Sequence, residues 1–303
     1  MNQFMQDIIG FGAVAIDHLV YVDAFPPANV KTYVIRSEQQ CGGLTATALV
    51  AAQRLGATCA YAGTLGDDDG SRFVIDTMQR EGIDVSHVVK RKDAGPIRSI
   101  IIVGLDRATR NIFPEHPEIT GASNDLPDAS VIRASKVVFV DHLGIAGMTR
   151  AAKIAREAGI PVVSDVERDL PGFAELLALV DHIVVSEDFA LRLTQSAQPE
   201  EAARKLWTPA RALVAVTCGE AGCYFTDDGA AVQHQPAFKV DAVDTTGCGD
   251  VFHGAYAAAL AKGMPAAERI RFASAAAALK ATQRGGQAGA PALAQVNEFL
   301  STR

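Results

Sequence analysis

Apolar runs of strand length alternate with segments of helical spacing through the second half of the chain. Residues 136–140, 161–164, 182–185 and 212–217 predict strands, and 149–158, 174–179 and 199–206 predict the helices between them. Strands that are apolar at nearly every position are buried on both faces, so this alternation predicts a parallel sheet with helices on each side. Upstream, 8–16 reads as a buried strand ending at Asp17. Gly42-Gly43 then opens a helix over 44–55 that Gly56 caps, 58–63 is a strand, and 71–81 is a helix closed by Gly82.

Other strands do not suit a sheet covered on both sides. Residues 21–23 and 31–37 flank the turn Phe25-Pro26-Pro27, and 97–103 is expected to form a hairpin with 110–113 across a polar segment. These segments, at about 18–40 and 97–113, are placed together as a small accessory β layer, or lid, on one α/β unit spanning 1–303. No repeat and no linker divides the chain, and the alanine-rich stretch 273–278 predicts close-packed helix.

Composition narrows the function classes. With 28 basic and 35 acidic residues, the 303-residue chain carries a formal charge of −7 and lacks the basic excess of a non-specific nucleic-acid binder. The short run Lys90-Arg91-Lys92 reads as a solvated turn. Five cysteines without a C-x-x-C pair predict neither a disulfide framework nor a zinc site, and point to reduced thiols in a cytoplasmic protein. The N-terminus has no basic segment and Asp17 interrupts the first apolar run, so neither a signal peptide nor a membrane span is expected.

The candidate chemistry centres on Asp244-Thr245-Thr246-Gly247-Cys248-Gly249-Asp250, followed at once by a helix-like run over 251–262. Glycines let backbone approach an anion closely, and the helix adds its positive end. Asp250 then stands beside an anion site as a proton acceptor for a hydroxyl nucleophile. Alone, the same residues also read as an N-capping turn with Asp250 as the cap. Three further motifs are open in the same way. Gly42-Gly43 offers bare backbone to a polyol or is an ordinary strand-to-helix turn. The turn within 214–224 holds nucleotide phosphates or is a hairpin. Arg284-Gly285-Gly286 lines a base pocket or is a loop. No G-x-x-x-x-G-K-[ST] sequence occurs, and Gly10-Phe11-Gly12 lacks the third glycine of a dinucleotide fingerprint.

Taken in order, these motifs resemble the ribokinase-like (PfkB) family of carbohydrate kinases over nearly the whole chain. The segment from Gly42 to Gly56 looks like the family's N-terminal signature, and Asp244 to Asp250 like its C-terminal one, with Cys248 where alanine is more usual. The stretch 234–255 is similar to the sulfofructose kinase and ketohexokinase-like branches. The resemblance implies a ribokinase-like three-layer α/β/α sandwich with a mainly parallel central sheet and a small β-sheet lid. It implies an ATP- and Mg²⁺-dependent kinase acting on a primary hydroxyl of a ketohexose or its derivative. Ribokinase, 2-keto-3-deoxygluconate kinase and nucleoside kinase stand as alternatives within the family. A non-catalytic sugar- or nucleotide-binding protein stands as an alternative outside it.

Residue by residue, the resemblance makes Asp250 the catalytic base and Gly247, Cys248 and Gly249 the anion hole. Asp17, Gly42, Gly43 and Thr47 match sugar-contacting positions. Thr217, Gly219 and Gly222 match the ATP phosphate and ribose region, and Ala277, Lys280 and Gly286 surround adenine. Asp244 and Thr246 match a monovalent-cation site, with K⁺ as the ion. One departure is clear: the family's N-x-x-E motif is replaced by Ser186-Glu187-Asp188-Phe189, so either Glu187 substitutes as magnesium ligand or the metal rests on ATP phosphates and water alone. For an anionic sugar, Lys31, Arg36, Arg98, Arg107 and Arg110 are candidate clamp residues or solvent-exposed lid charge. The resemblance also implies a homodimer formed through the lid.

Overall fold

A computed structural model describes residues 6–106 and 109–303. Successive side chains of each apolar strand fill opposite faces of the central sheet. Ile8, Val137, Phe139, Val163, Val184 and Ala215 pack against helices Leu44–Arg54, Cys248–Ala261 and Ala266–Ala281. Ile9, Val138, Val162, Ile183, Val185 and Val216 pack on the other face, against helices Ile145–Glu157, Phe173–Leu179, Glu187–Thr194 and Pro199–Leu206. The sheet is eight-stranded, in the order Gln233–Gln235, Cys223–Thr226, Leu213–Thr217, His182–Ser186, Val162–Asp165, Ser135–Val140, Gln6–Gly10, Cys59–Tyr61. The last six strands are mutually parallel, and Cys223–Thr226 runs antiparallel to both its neighbours, Leu213–Thr217 and Gln233–Gln235. The expected α/β layering is therefore present, and the parallel strands direct their C-terminal ends, Gly10, Asp165, Ser186 and Thr217, to one edge.

A second sheet has four strands, in the order Arg36–Gly42, Ala15–Val22, Ile97–Gly104, Thr109–Glu115. Two readings of the sequence are corrected here. The apolar run 8–16 is not one strand: the central strand ends at Gly10 and a small-sheet strand begins at Ala15, so Asp17 lies inside the small sheet. The crossing is tight, because a Cβ on Gly12 would fall 1.9 Å from Asp141 Oδ2. That buried carboxylate accepts from the Ala13 amide at 2.5 Å and from Thr45 Oγ1 at 2.9 Å, fixing the crossing to the start of the first helix. The strand expected at 31–37 runs instead from Arg36 to Gly42, leaving Lys31 in exposed coil. Its polar residues gave no alternation to read; pairing with Ala15–Val22, Asp17 opposite Gln40, sets its place. Arg107 lies outside the described residues.

Candidate active site

Helix Cys248–Ala261 starts from Gly247, whose φ of 75° is left-handed backbone that glycine adopts without strain. The Cys248 amide donates to the Thr245 carbonyl at 3.2 Å, and the first full helical bond runs from the Val251 amide to the Gly247 carbonyl at 2.9 Å. The Gly249 and Asp250 amides belong to the first turn, where a helix offers no acceptor. A Cβ on Gly249 would meet nothing within 4 Å, so the chain is uncrowded at Gly249, on the positive end of the helix.

Asp250 is half-buried on this turn. Burial pushes its carboxyl well above the ordinary 3.8, the Asp165 charge raises it further, His253 pulls it back, and Glu167 and Asp17 raise it again. Asp165 ends a central strand, is itself buried, and has an Oδ2 with no hydrogen-bond partner. His253 Nδ1 lies 3.4 Å from that Oδ2 and 2.7 Å from the Gly249 carbonyl, while its Nε2 lies 3.0 Å from the Val184 carbonyl. His253 thus joins the helix start to two neighbouring strands of the central sheet. Sequence reasoning missed both residues; the available signals were Asp165 at the C-terminal end of a sheet strand and His253 one helical turn beyond Asp250.

The glycine pair meets this turn from the other side. Gly43 takes φ +94°, and a Cβ there would lie 2.7 Å from both the Ala13 carbonyl oxygen and Val14 Cα. Thr47, one turn into helix Leu44–Arg54, is buried, and its Cγ2 lies 3.5 Å from the Cβ position of Gly247. Behind them the two helices touch backbone to backbone, since a Cβ on Gly254 would be 2.1 Å from the Ala48 carbonyl oxygen. The Asp17 carboxylate lies against Gly42, with Oδ2 2.4 Å from where a Cβ would stand. Burial raises the Asp17 carboxyl, and a hydrogen bond with Ser99 lowers it.

Of the expected clamp residues, Arg110 reaches the site and donates to Thr246 Oγ1. By register Asp17, Gln40 and Ser99 share a face with Arg110, Tyr21 and Arg36. Arg36 lies over the Tyr21 ring at 3.9 Å. Arg98 is on the opposite face and pairs with Asp68 at 3.3 Å, which removes it from the clamp. Lys31 has no place in either sheet.

On the far side, Thr217 ends its strand, with Oγ1 donating to the Val185 carbonyl at 3.3 Å. The following turn carries Gly219 at φ +55° and Gly222 at φ +99°, whose Cβ would strike the Gln235 carbonyl oxygen at 2.2 Å. Glu187 opens a helix capped by Ser186, and its charge helps raise the Cys218 thiol to about 12, after burial. Phe189 is buried edge-on to Phe173, so the position that is glutamate in the family motif is core here. Ala277 is partly buried on helix Ala266–Ala281. The Lys280 ammonium turns into the protein, donating to the Asp244 carbonyl at 2.7 Å and the Gln283 carbonyl at 3.1 Å. Gly286 faces the start of the signature, its Cα 3.0 Å from the Cβ position of Gly247.

The sequence profile of the pfkB family carbohydrate kinases matches residues 5–293. The chain belongs to that family. It is 26% identical to a ribokinase of Staphylococcus aureus (strain COL) over 302 residues, covering 96% of this chain and 98% of that protein. It is 28% identical to fructokinase-1 of Zea mays over 324 residues, covering 97% of each. The structure of an Arabidopsis thaliana ribokinase complexed with ribose and ATP superposes with a TM-score of 0.86 at 23% identity, covering 97% of this chain and 98% of that one. This chain is thus a sugar kinase, a phosphotransferase with an alcohol acceptor, on a ribokinase-like fold.

Proposed function

We propose that this kinase transfers the γ-phosphoryl group of ATP to a primary hydroxyl of a ketohexose or ketohexose derivative. The observation that carries the reading is that the Asp250 carboxyl stands on the first turn of a helix begun by left-handed Gly247, with the Thr47 side chain of the glycine-pair helix 3.5 Å from the Cβ position of Gly247. Asp250 accepts the hydroxyl proton as the oxygen attacks phosphorus, and the amides at Gly247 and Gly249 offset charge on the transferring group, whereas the Cys248 amide is held by the Thr245 carbonyl. Asp17, Gly42, Gly43 and Thr47 hold the sugar. Thr217, Gly219, Gly222, Ala277 and Gly286 line the nucleotide side. The small sheet acts as a lid that excludes water from the transfer.

Among the described residues no cluster of three or more His, Cys, Asp or Glu forms a cation cage. That fits magnesium, which commonly keeps waters and takes phosphate oxygens. Glu187 is the carboxylate this chain offers such an ion at the sheet edge. Bound with ATP, magnesium would draw negative charge off the phosphates.

The ribokinase and fructokinase relatives support a sugar acceptor, and the fructokinases among them support a ketohexose. The deciding experiment is initial-rate phosphorylation of fructose, sulfofructose, ribose, 2-keto-3-deoxygluconate, fructose 1-phosphate and adenosine with Mg·ATP. The highest kcat/KM is expected on a ketohexose; a clear preference for ribose or adenosine overturns the assignment. Arg110 is the cation placed to meet a charged group on the acceptor. Arg110→Ala is therefore expected to lower kcat/KM by about 10–100-fold on an anionic ketohexose and much less on fructose, as for a lost charge-assisted hydrogen bond. An equal loss on both sugars would remove Arg110 from specificity.

We also infer a homodimer through the lid. Ile100 and Phe113 stand opposite each other on the lid face away from Asp17, 55% and 54% exposed. Light scattering is expected to give twice the chain mass, and Ile100→Glu with Phe113→Glu to give the monomer; a monomeric wild type refutes the dimer. The five free cysteines support a cytoplasmic location. Among the described residues, no helix is long and apolar enough to cross a membrane.

A further inference from the structure

The monovalent cation implied at Asp244 and Thr246 does not fit the groups gathered there. The Asp244 carbonyl already accepts from the Lys280 ammonium at 2.7 Å, and the same ammonium donates to the Gln283 carbonyl at 3.1 Å. The Asp244 carboxylate is committed as well, Oδ1 to the Thr246 amide at 2.8 Å and Oδ2 to the Gly285 amide at 2.9 Å. Lys280 is 0% exposed. Its helix end joins the same knot, since the Ala281 carbonyl accepts from the Val243 and Asp244 amides at 2.7 and 3.0 Å. A positive charge fixed to the chain therefore sits where the carbonyls of two loops converge, directly behind the Gly247 turn.

We propose that the Lys280 ammonium is a built-in substitute for the cation. It holds 244–247 against 283–286, and so shapes the phosphate-facing turn without any alkali ion. Lys280 is then a positioning residue, with its charge spent on backbone rather than on nucleotide. Burial lowers its pKa, the Cys248 and Asp244 charges pull it back up, and Arg110 lowers it again. The inference rests on the proposed role of the Gly247 turn at the transferring phosphate.

The test measures thermal midpoint and kcat/KM in tetramethylammonium, sodium and potassium chloride at equal ionic strength and constant magnesium. Wild type is expected to vary by no more than about twofold in kcat/KM, with an unchanged midpoint, because no site remains for the ion to stabilise. Activation of about tenfold or more by potassium, or a potassium-specific rise in the wild-type midpoint, overturns the proposal. Lys280→Met is expected to lose activity and midpoint in tetramethylammonium and to regain both in potassium. A folded Lys280→Met protein that matches wild type without potassium, or that no alkali ion restores, overturns it too. If that variant does not fold, the wild-type salt series decides alone. The midpoint does not depend on turnover, so a chain inactive on every sugar refutes the kinase reading while the cation result stands separately.

Discussion

Asp250→Asn is expected to lower kcat by about 10²–10⁴ while leaving KM for sugar and ATP within a few-fold. Asparagine keeps the shape of the side chain but cannot take the hydroxyl proton. The loss should not come from unfolding. The Asp250 carboxyl lies well above 3.8 because it is buried, and next because it faces the Asp165 charge. A raised folded value means that the folded state favours the protonated acid. The stability it contributes is present at low pH and is lost as pH rises through the raised value. Replacing the charge at neutral pH should therefore leave the thermal midpoint unchanged or higher. The same shift sets the pH profile. The base must be ionised to act, so kcat/KM should fall as pH drops through the raised value, above the ordinary carboxylate range. The residual activity of the variant should lack that limb. Steady-state kinetics with calorimetry checks both, and near-normal turnover would remove Asp250 from the role of base.

Gly254→Ala is expected to cost stability and activity together. A Cβ at Gly254 would stand 2.1 Å from the Ala48 carbonyl oxygen and 2.8 Å from its carbon, and both are backbone atoms. The helices Leu44–Arg54 and Cys248–Ala261 must then separate, at the roughly 1–3 kcal/mol typical of an overpacked core. For a chain of this size that corresponds to a fall of roughly 2–10 °C in thermal midpoint. Separation also draws Thr47 away from the Gly247 turn, so KM for the sugar should rise. Gly249→Ala is the contrast: its Cβ would meet nothing within 4 Å, and its midpoint should hold. Equal midpoints for Gly254→Ala and wild type would show that the helix contact is looser than described.

What the sequence discloses follows from how local each cause is. The parallel strands were legible because burial on both faces writes an unbroken apolar run, as in Val162–Asp165 and Leu213–Thr217. The same rule misled at 8–16, where the chain stays apolar while passing from one sheet to the other. The signal was in the glycines: Gly10 and Gly12 leave room for Thr45 and Asp141. Helix Leu293–Ser301 also went unread, since a short C-terminal helix with one buried residue, Val296, writes little periodicity. In the site, the tight turns at Gly43 and Gly247 were legible because a glycine pair and a glycine-flanked helix start write backbone shape into the sequence. Asp165 and His253 could not be read together from the sequence, because their contact exists only where a helix start meets two strands of the central sheet. Lys280 was visible as a residue but not as a role: a lysine beside a nucleotide loop reads as a ligand contact until its ammonium is seen facing Asp244 and Gln283.

The central claim is phosphoryl transfer to a sugar at the turn where the two glycine motifs meet. Its most direct test is the ADP formed from Mg·ATP with and without a ketohexose, read alongside the phosphorylated sugar by NMR. The account predicts sugar-dependent ADP in equal amount to a sugar phosphorylated on a primary hydroxyl. ADP formation that no sugar stimulates, or ATP bound without turnover on every sugar tried, would contradict it.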